Sequence, residues 1–246
     1  MMQTTPPASE ARIAIQPGFA WDAQDAYLFD IDGTLLRSRD RIHFNSFAAA
    51  MQQVTGHTLS LEGVVVHGST DTAILRDAIR LSGLPEEAIE AQVRAILEAM
   101  CVEVTTRRGE LNLVLMPGVE DMLRYLARRG ALLGVGTGNL EAIGWTKIET
   151  VGLRQWFRFG GFSDHFPDRA ELIGDAARKA RELAGPAARV CVVGDTPSDI
   201  EAARANALPC IAVATGKFSF DELLEYGPEA CVSTLADLLA QNGSVR

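Results

Sequence analysis

The stretch AYLFDIDGTL, residues 26–35, runs from an apolar segment directly into two aspartates, a glycine and a threonine. A short continuous apolar run of this kind is typical of a strand buried on both faces of a parallel sheet. Residues two apart on an extended chain point the same way, so Asp30 and Asp32 are predicted to project together from the strand's carboxyl end. Gly33 permits a sharp turn at this point, and the Thr34 hydroxyl can hold the turn in place.

Two neighbouring carboxylates repel each other unless a cation lies between them or one of them takes a proton. Mg²⁺ prefers one or two carboxylates together with phosphate oxygens and water, and it therefore suits the pair Asp30 and Asp32. The stretch thus predicts a magnesium site that handles a phosphate group, in preference to a surface turn that is merely rich in aspartate.

Apolar runs that end in glycine or aspartate alternate with helical patterns along the chain. The predicted strands are 26–29, 131–135, 190–193 and 211–213, with weaker strands at 157–162 and 230–232. The predicted helices include 119–129, 171–183 and 199–205. This alternation predicts an α/β fold with a doubly wound parallel sheet, covered by helices on both faces. Ligands of such sheets bind beyond the carboxyl ends of the strands, so the residues that follow each strand are the first candidates for a site.

A second predicted strand ends in GTGN, residues 136–139, ahead of a helical pattern. A hydroxyl and the free amides of small residues at a helix start form an anion site. Thr137, Gly138 and Asn139 are therefore predicted to contact a phosphate group. The spacing does not fit a dinucleotide-binding fingerprint, because no glycine stands three residues after either glycine pair.

A third predicted strand ends in GDTPSD, residues 194–199, with Asp195 directly after the apolar run. Asp199 follows about one helical turn later and is predicted to face the same pocket. Capping of the helix by either aspartate is the alternative interpretation. All three motifs fall on one edge of the predicted sheet, which favours a shared site.

Residues 37–112 break the alternation, because they show helical spacing without intervening strands. Two runs of apolar residues carry this spacing: Phe44, Phe47, Ala48, Met51 and Val54, followed by Ile89, Val93, Ile96, Leu97, Met100 and Val104. We therefore expect an inserted α-helical cap domain at 37–112, a core domain at 25–36 and 113–246, and a poorly ordered N-terminal tail at 1–24.

The chain has 246 residues, a net charge of −9 and a sequence pI of about 5.0. Such an acidic chain is not expected to bind nucleic acid or an anionic membrane surface. It lacks 18 consecutive apolar residues and the pattern of a signal peptide, so no transmembrane helix is expected and the cytoplasm is the expected location.

Together these motifs resemble those of the haloacid dehalogenase superfamily, specifically its phosphoglycolate phosphatase-like group, in which a helical cap follows the first motif. HGSTD at residues 67–71 is similar to a glycine-lysine-threonine-aspartate stretch of the family's cap, and MPGV at 116–119 lies where the chain re-enters the core. The resemblance implies a Rossmann-like core and Mg²⁺-dependent hydrolysis of a small phosphorylated metabolite through an aspartyl-phosphate. Phosphoglycolate is the substrate that it favours.

The resemblance also implies roles for individual residues. Asp30 is expected to be the nucleophile and Asp32 the general acid and base, while Thr137 binds the transferring phosphoryl group. Asp195 is expected to complete the Mg²⁺ site, supported by Asp199, and Asp32 to contact the metal through its backbone carbonyl. Substrate contacts are further expected from residues of the core and the cap: Thr34, Gly138, Asn139, His67 and Thr70.

The family's third motif, usually Lys-Pro near the start of a later helix, is replaced by PDRAEL at residues 167–172. Several carboxylates and a dianionic phosphoryl group call for a fixed cation besides Mg²⁺. Arg169 stands where the family's lysine sits and is the favoured candidate. Lys147 is the alternative, although it lies roughly 12 Å along the helix after Thr137, so its side chain would have to extend almost fully.

A sugar-phosphate mutase and a catalytically inactive binding protein of the same fold are the alternatives to a phosphatase. The resemblance disfavours a 2-haloacid dehalogenase, because that group lacks the second aspartate, here Asp32. A phosphonatase needs a lysine in the cap, whereas the lysines of this chain all lie outside it: Lys147, Lys179 and Lys217. The sequence gives no indication of the oligomeric state.

Overall fold

The computed structural model describes residues 11–84 and 86–241. Its strands, in chain order, are β1 Ile13–Ile15, β2 Ala26–Phe29, β3 Leu36–Ser38, β4 Leu113–Leu115, β5 Leu132–Gly136, β6 Phe159–Gly161, β7 Val190–Gly194, β8 Cys210–Val213 and β9 Ala230–Val232. Its α-helices are α1 Ile42–Thr55, α2 Asp71–Leu81, α3 Glu86–Thr106, α4 Val119–Arg128, α5 Glu141–Thr150, α6 Arg169–Ala184, α7 Pro197–Ala205, α8 Phe220–Glu225 and α9 Leu235–Gln241.

The main sheet has seven strands in the order β1-β9-β8-β7-β2-β5-β6, and every neighbouring pair except β1–β9 is parallel. Side chains of β2 alternate between two hydrophobic clusters: Tyr27 and Phe29 join one, whereas Ala26 and Leu28 join the other. Helices α4, α5 and α9 supply the first cluster and α6, α7 and α8 the second. The predicted doubly wound α/β fold is therefore confirmed.

Residues 11–24 differ from the expected poorly ordered tail. Ile13 and Ile15 lie in β1, which pairs antiparallel with β9 at the sheet edge, in register with Val232 and Ala230. Trp21 is buried in the core. This segment is fixed by a partner more than two hundred residues away, so its own composition gives no sign of order.

Strands β3 and β4 form a separate two-stranded antiparallel ribbon, in which Leu36 lies opposite Leu115. Between them, the described residues 39–84 and 86–112 contain α1, α2 and α3 and no strand. These helices share a hydrophobic cluster of their own, which includes Phe47, Ile79 and Ile96, and two residues near the start of α5 pack against it. Within the described part of the chain, no helix is long and apolar enough to cross a bilayer.

Candidate active site

The three predicted motifs meet at one edge of the sheet. Strands β2, β5 and β7 are adjacent and parallel, so Asp30, Thr137 and Asp195 emerge side by side from their carboxyl ends. All three line a pocket of about 240 Å³ between the core and the cap. Each of these residues is at most 5% exposed.

Hydrogen bonds hold cap residues against the core at this pocket. The Asp71 amide donates to the Gly138 carbonyl over 2.7 Å, and the Thr70 hydroxyl donates to the Pro167 carbonyl over 2.6 Å. A Cβ on Gly138 would lie 2.5 Å from the Ser69 carbonyl oxygen. The cap can approach this closely only because position 138 has no side chain.

A cluster of three buried carboxylates lies at this pocket, and Asp30 and Asp195 line it, whereas Asp199, which was predicted to face the same pocket, does not. One oxygen from each of Asp30, Asp195 and Asp199 lies within 4.8 Å of the others. Burial raises the pKa of Asp30 to about 7, with repulsion from Asp199 and Asp32 acting in the same direction against the attraction of Arg169. Burial and repulsion from Asp30 and Asp199 raise the pKa of Asp195 to about 8.

Arg169, the first residue of α6, lies against this cluster. Its Nη2 is 3.0 Å from Asp30 Oδ1 and 2.6 Å from Asp199 Oδ1, and its side chain is 9% exposed. Its other terminal nitrogen donates to the Gly68 carbonyl of the cap. The helix start is fixed by Asp168, whose carboxylate caps the first turn, so the guanidinium is held beside the clustered carboxylates.

The donor set fits a divalent cation. When all three clustered carboxylates are ionised, two negative charges remain that Arg169 does not balance. Asp199 is already engaged, because it accepts hydrogen bonds from the Thr196 amide and hydroxyl in a capping box. Asp30 and Asp195 both face the pocket, so carboxylate oxygens of the kind that Mg²⁺ prefers are available there.

Lys147 lines the same pocket but pairs with a different carboxylate, that of Asp32. Its Nζ donates to Asp32 Oδ2 over 2.6 Å and to Asn139 Oδ1 over 2.8 Å, and its side chain is 2% exposed. The Asn139 amide nitrogen also donates to Asp32 Oδ2 and to the Thr137 hydroxyl. Although burial acts to raise it, Lys147, His43 and Asn139 hold the pKa of Asp32 below its ordinary value.

The two candidate cations are therefore not alternatives. Arg169 lies against Asp30, the predicted nucleophile, and Lys147 against Asp32, the predicted acid and base. The lysine reaches the site despite its distance along α5, because its fully buried stem runs back toward the start of that helix.

The cap extends the Lys147 network through His43 and Asp71. Lys147 Nζ lies 3.0 Å from His43 Nδ1, and His43 Nε2 lies 3.0 Å from Asp71 Oδ2. An ammonium can only donate, so Nδ1 accepts and the Nε2–H group donates to the carboxylate. The Asp71 carboxylate also accepts the Leu140 amide of the core. Sequence reasoning assigned His43 no role in the site, since no local spacing shows that the fold brings this α1 residue within reach of Lys147 on α5.

Two residues expected to bind substrate have other partners. The Thr34 hydroxyl donates to Asp195 Oδ1 over 2.9 Å and is fully buried. The Thr70 hydroxyl caps α2 by accepting the Ala73 amide, besides holding the cap to the core. Neither residue lines the pocket, whereas the other expected substrate contacts do: Gly138, Asn139 and His67.

A model of the haloacid dehalogenase-like hydrolases matches residues 24–206. The chain belongs to this family. Membership agrees with the order of the motifs along the sheet edge and with the helical insertion after the first of them.

Curated relatives include the phosphoglycolate phosphatase of Agrobacterium fabrum, which is 27% identical over 219 residues, 86% of this chain and 89% of the relative. The phosphoglycolate phosphatase of Nitrosococcus oceani is 23% identical over 215 residues, 86% of this chain and 93% of the relative. Together with the family match, these relatives support a phosphatase.

Among solved structures, that of CbbY from Rhodobacter sphaeroides in complex with phosphate superposes with a TM-score of 0.59. The match covers 83% of this chain and 96% of CbbY at 20% sequence identity, a similarity that concerns the fold alone.

Proposed function

We propose that this protein hydrolyses small phosphate monoesters through an aspartyl-phosphate on Asp30, with Mg²⁺ as its cofactor. The observation that carries the proposal is the division of charges in the pocket: Asp30 faces a guanidinium and two carboxylates, whereas Asp32 faces an ammonium. Two adjacent carboxylates in such unlike surroundings suit two different chemical roles.

In the first step an Asp30 oxygen attacks phosphorus, and the bond between phosphorus and the ester oxygen breaks. The departing alkoxide takes a proton from Asp32, which requires Asp32 to have gained that proton as the substrate binds. Arg169 contacts Asp30 and can hold the attacking oxygen in position, while Thr137 borders the space that the phosphoryl group would fill.

In the second step a water molecule attacks the phosphorus of the aspartyl-phosphate. Asp32 accepts the proton of that water, and the bond between Asp30 and phosphorus breaks to release inorganic phosphate. The lowered pKa of Asp32 keeps it ionised and ready for this proton. Lys147 and Asn139 hold one of its oxygens, and the side chain is 40% exposed, so the other oxygen is free to act.

Asp30, Asp195 and the Asp32 backbone carbonyl would hold the Mg²⁺ ion, with Asp199 behind them. When bound, Mg²⁺ supplies positive charge to the phosphoryl oxygens and balances the clustered carboxylates. Thr34 acts through Asp195, because its hydroxyl holds one oxygen of that carboxylate.

The test measures phosphate release from p-nitrophenyl phosphate and phosphoglycolate, with Mg²⁺ and with a chelator. Asp30→Asn should lower turnover by more than ~10³-fold, because an amide does not replace the attacking carboxylate. Asp121→Asn removes an equal charge from a side chain that is 67% exposed on α4, and should leave turnover unchanged. Acid-quenched wild-type protein should carry phosphate on Asp30. Full activity in Asp30→Asn would refute the proposal, and formation of an isomeric phosphate ester would favour the mutase.

A further inference from the structure

One part of the pocket lining is apolar. Cap residues form it, and we call them the apolar roof: Phe44, Phe47, Leu61, Val66 and Ile74. The roof comes from α1, α2 and the segment between them. The roof lines the same pocket as Asp30 and Thr137, so it borders the space that the leaving alcohol of a substrate would fill.

The cations that line this pocket are both committed to carboxylates. Lys147 pairs with Asp32, and Arg169 pairs with Asp30 and Asp199. His67 also lines the pocket, but burial and nearby Lys217 lower its pKa, which disfavours its charged form. No other lysine or arginine lines this pocket in the described part of the chain.

The charged groups that the cap itself brings to the lining are anionic. Asp40 accepts the Ile42 and Asn112 amides, and Asp71 accepts the Leu140 amide and the His43 imidazole. The Arg41 guanidinium lies 4.2 Å from the centre of the Phe44 ring but does not line the pocket. A carboxylate on the leaving group would thus lose water without gaining a cation among the lining side chains, in a pocket that already holds carboxylates. An apolar leaving group would instead bury its surface against the roof.

From this lining we propose that the substrate is a phosphate ester of an uncharged, apolar alcohol, in contrast to phosphoglycolate. The inference rests on the proposed function and concerns only the leaving group. Val66 is the roof position best suited to test it, because its neighbour Val65 is 69% exposed and lies outside the pocket lining.

Benzyl phosphate and phosphoglycolate offer a suitable comparison, since both release a primary alkoxide and differ in the charge of the group attached to it. Wild-type kcat/KM should be at least about tenfold higher for benzyl phosphate, which corresponds to about 1.4 kcal/mol. Val66→Lys should shift this ratio toward phosphoglycolate by about tenfold or more, since the new ammonium can pair with the carboxylate. Val65→Lys adds the same charge outside the pocket and should leave the ratio unchanged.

A binding measurement separates this inference from the catalytic proposal. With Mg²⁺ present, benzylphosphonate should raise the melting temperature more than phosphonoacetate does, whether or not the protein turns over any ester. Higher kcat/KM for phosphoglycolate, stronger stabilisation by phosphonoacetate, or an unchanged ratio in folded Val66→Lys would each overturn the inference. Absence of turnover together with a preference for benzylphosphonate would refute the catalytic proposal and leave the apolar site supported.

Discussion

Replacement of Arg169 by methionine would remove the guanidinium while keeping an apolar stem of similar bulk. Arg169 is 9% exposed and contacts Asp30 and Asp199 at 3.0 and 2.6 Å. Removing one partner of a buried ion pair costs about 3–5 kcal/mol, because the remaining charge stays buried and unpaired. In a protein of this size that loss corresponds to a fall in melting temperature of roughly 6–20 °C. Turnover should fall by roughly 10²-fold or more, as when one fixed electrostatic donor is lost.

The matched control lies on the same helix. Arg178 also pairs with two carboxylates, those of Asp175 and Glu182, but its side chain is 57% exposed. Arg178→Met should therefore cost less than about 1 kcal/mol and leave turnover unchanged. Both variants are compared with the wild type by thermal melts in a chelator and by steady-state phosphate release with Mg²⁺.

A double variant isolates the repulsion that Arg169 offsets. In an Asp30→Asn background the same Arg169→Met change should destabilise the protein less, because one of the clustered carboxylates is no longer charged. If Arg169→Met melted within about 2 °C of the wild type, a difference of under about 1 kcal/mol, the guanidinium would not be a buried partner of the cluster. The positioning role assigned to it would then be refuted.

Three further predictions test the rest of the site. Lys147→Met should lower turnover by roughly 10²-fold, and the loss should be larger for benzyl phosphate than for p-nitrophenyl phosphate. The orientation of Asp32 matters most when the leaving group needs a proton. Equal losses for both esters would contradict this role of Lys147. Gly138→Ala should lower kcat/KM by about tenfold, because the added methyl group pushes away the Ser69 carbonyl. Gly109→Ala is the control, because the added methyl group meets no atom within 4 Å. Equal kcat/KM values for the two variants would refute the importance of this contact. In a chelator, the melting temperature should rise as pH falls from about 8 to about 5, because the clustered carboxylates with raised pKa bind protons more tightly in the folded state. Mg²⁺ should remove most of this dependence of the melting temperature on pH. A melting temperature that does not change with pH in the chelator would contradict the repulsion among the carboxylates.

The core of the fold could be predicted because its strands are short, continuous apolar runs with polar residues at their ends. Val190–Gly194 and Leu132–Gly136 are examples, and both lie within one residue of the predicted bounds. The rule that ligands bind at the carboxyl ends of parallel strands then brought the three motifs together. Strands β1, β3 and β4 were not predicted, because each depends on an antiparallel partner far away in sequence.

The contacts of the site were less accessible to sequence reasoning than its location. Asp195 follows a strand, and its position could be predicted, but the Thr34 hydroxyl that holds it comes from a turn 161 residues earlier. Likewise His43 reaches Lys147 only because the cap folds back over the core. Such contacts depend on how two groups of helices dock, which a local pattern of residues does not encode.

The pKa order of the two motif aspartates bears on the cation that we propose for this site. A nucleophile must be ionised and an acid protonated, yet burial raises the pKa of Asp30 to about 7, whereas Lys147 holds the pKa of Asp32 below its ordinary value. Burial of Asp30 and the ammonium beside Asp32 therefore set the opposite order to the one that the proposed first step needs. A divalent cation beside Asp30 and Asp195 would lower the pKa of the nucleophile without touching the Lys147 network. The proposed dependence on metal agrees with the placement of Arg169, a single cation in contact with two of the three clustered carboxylates.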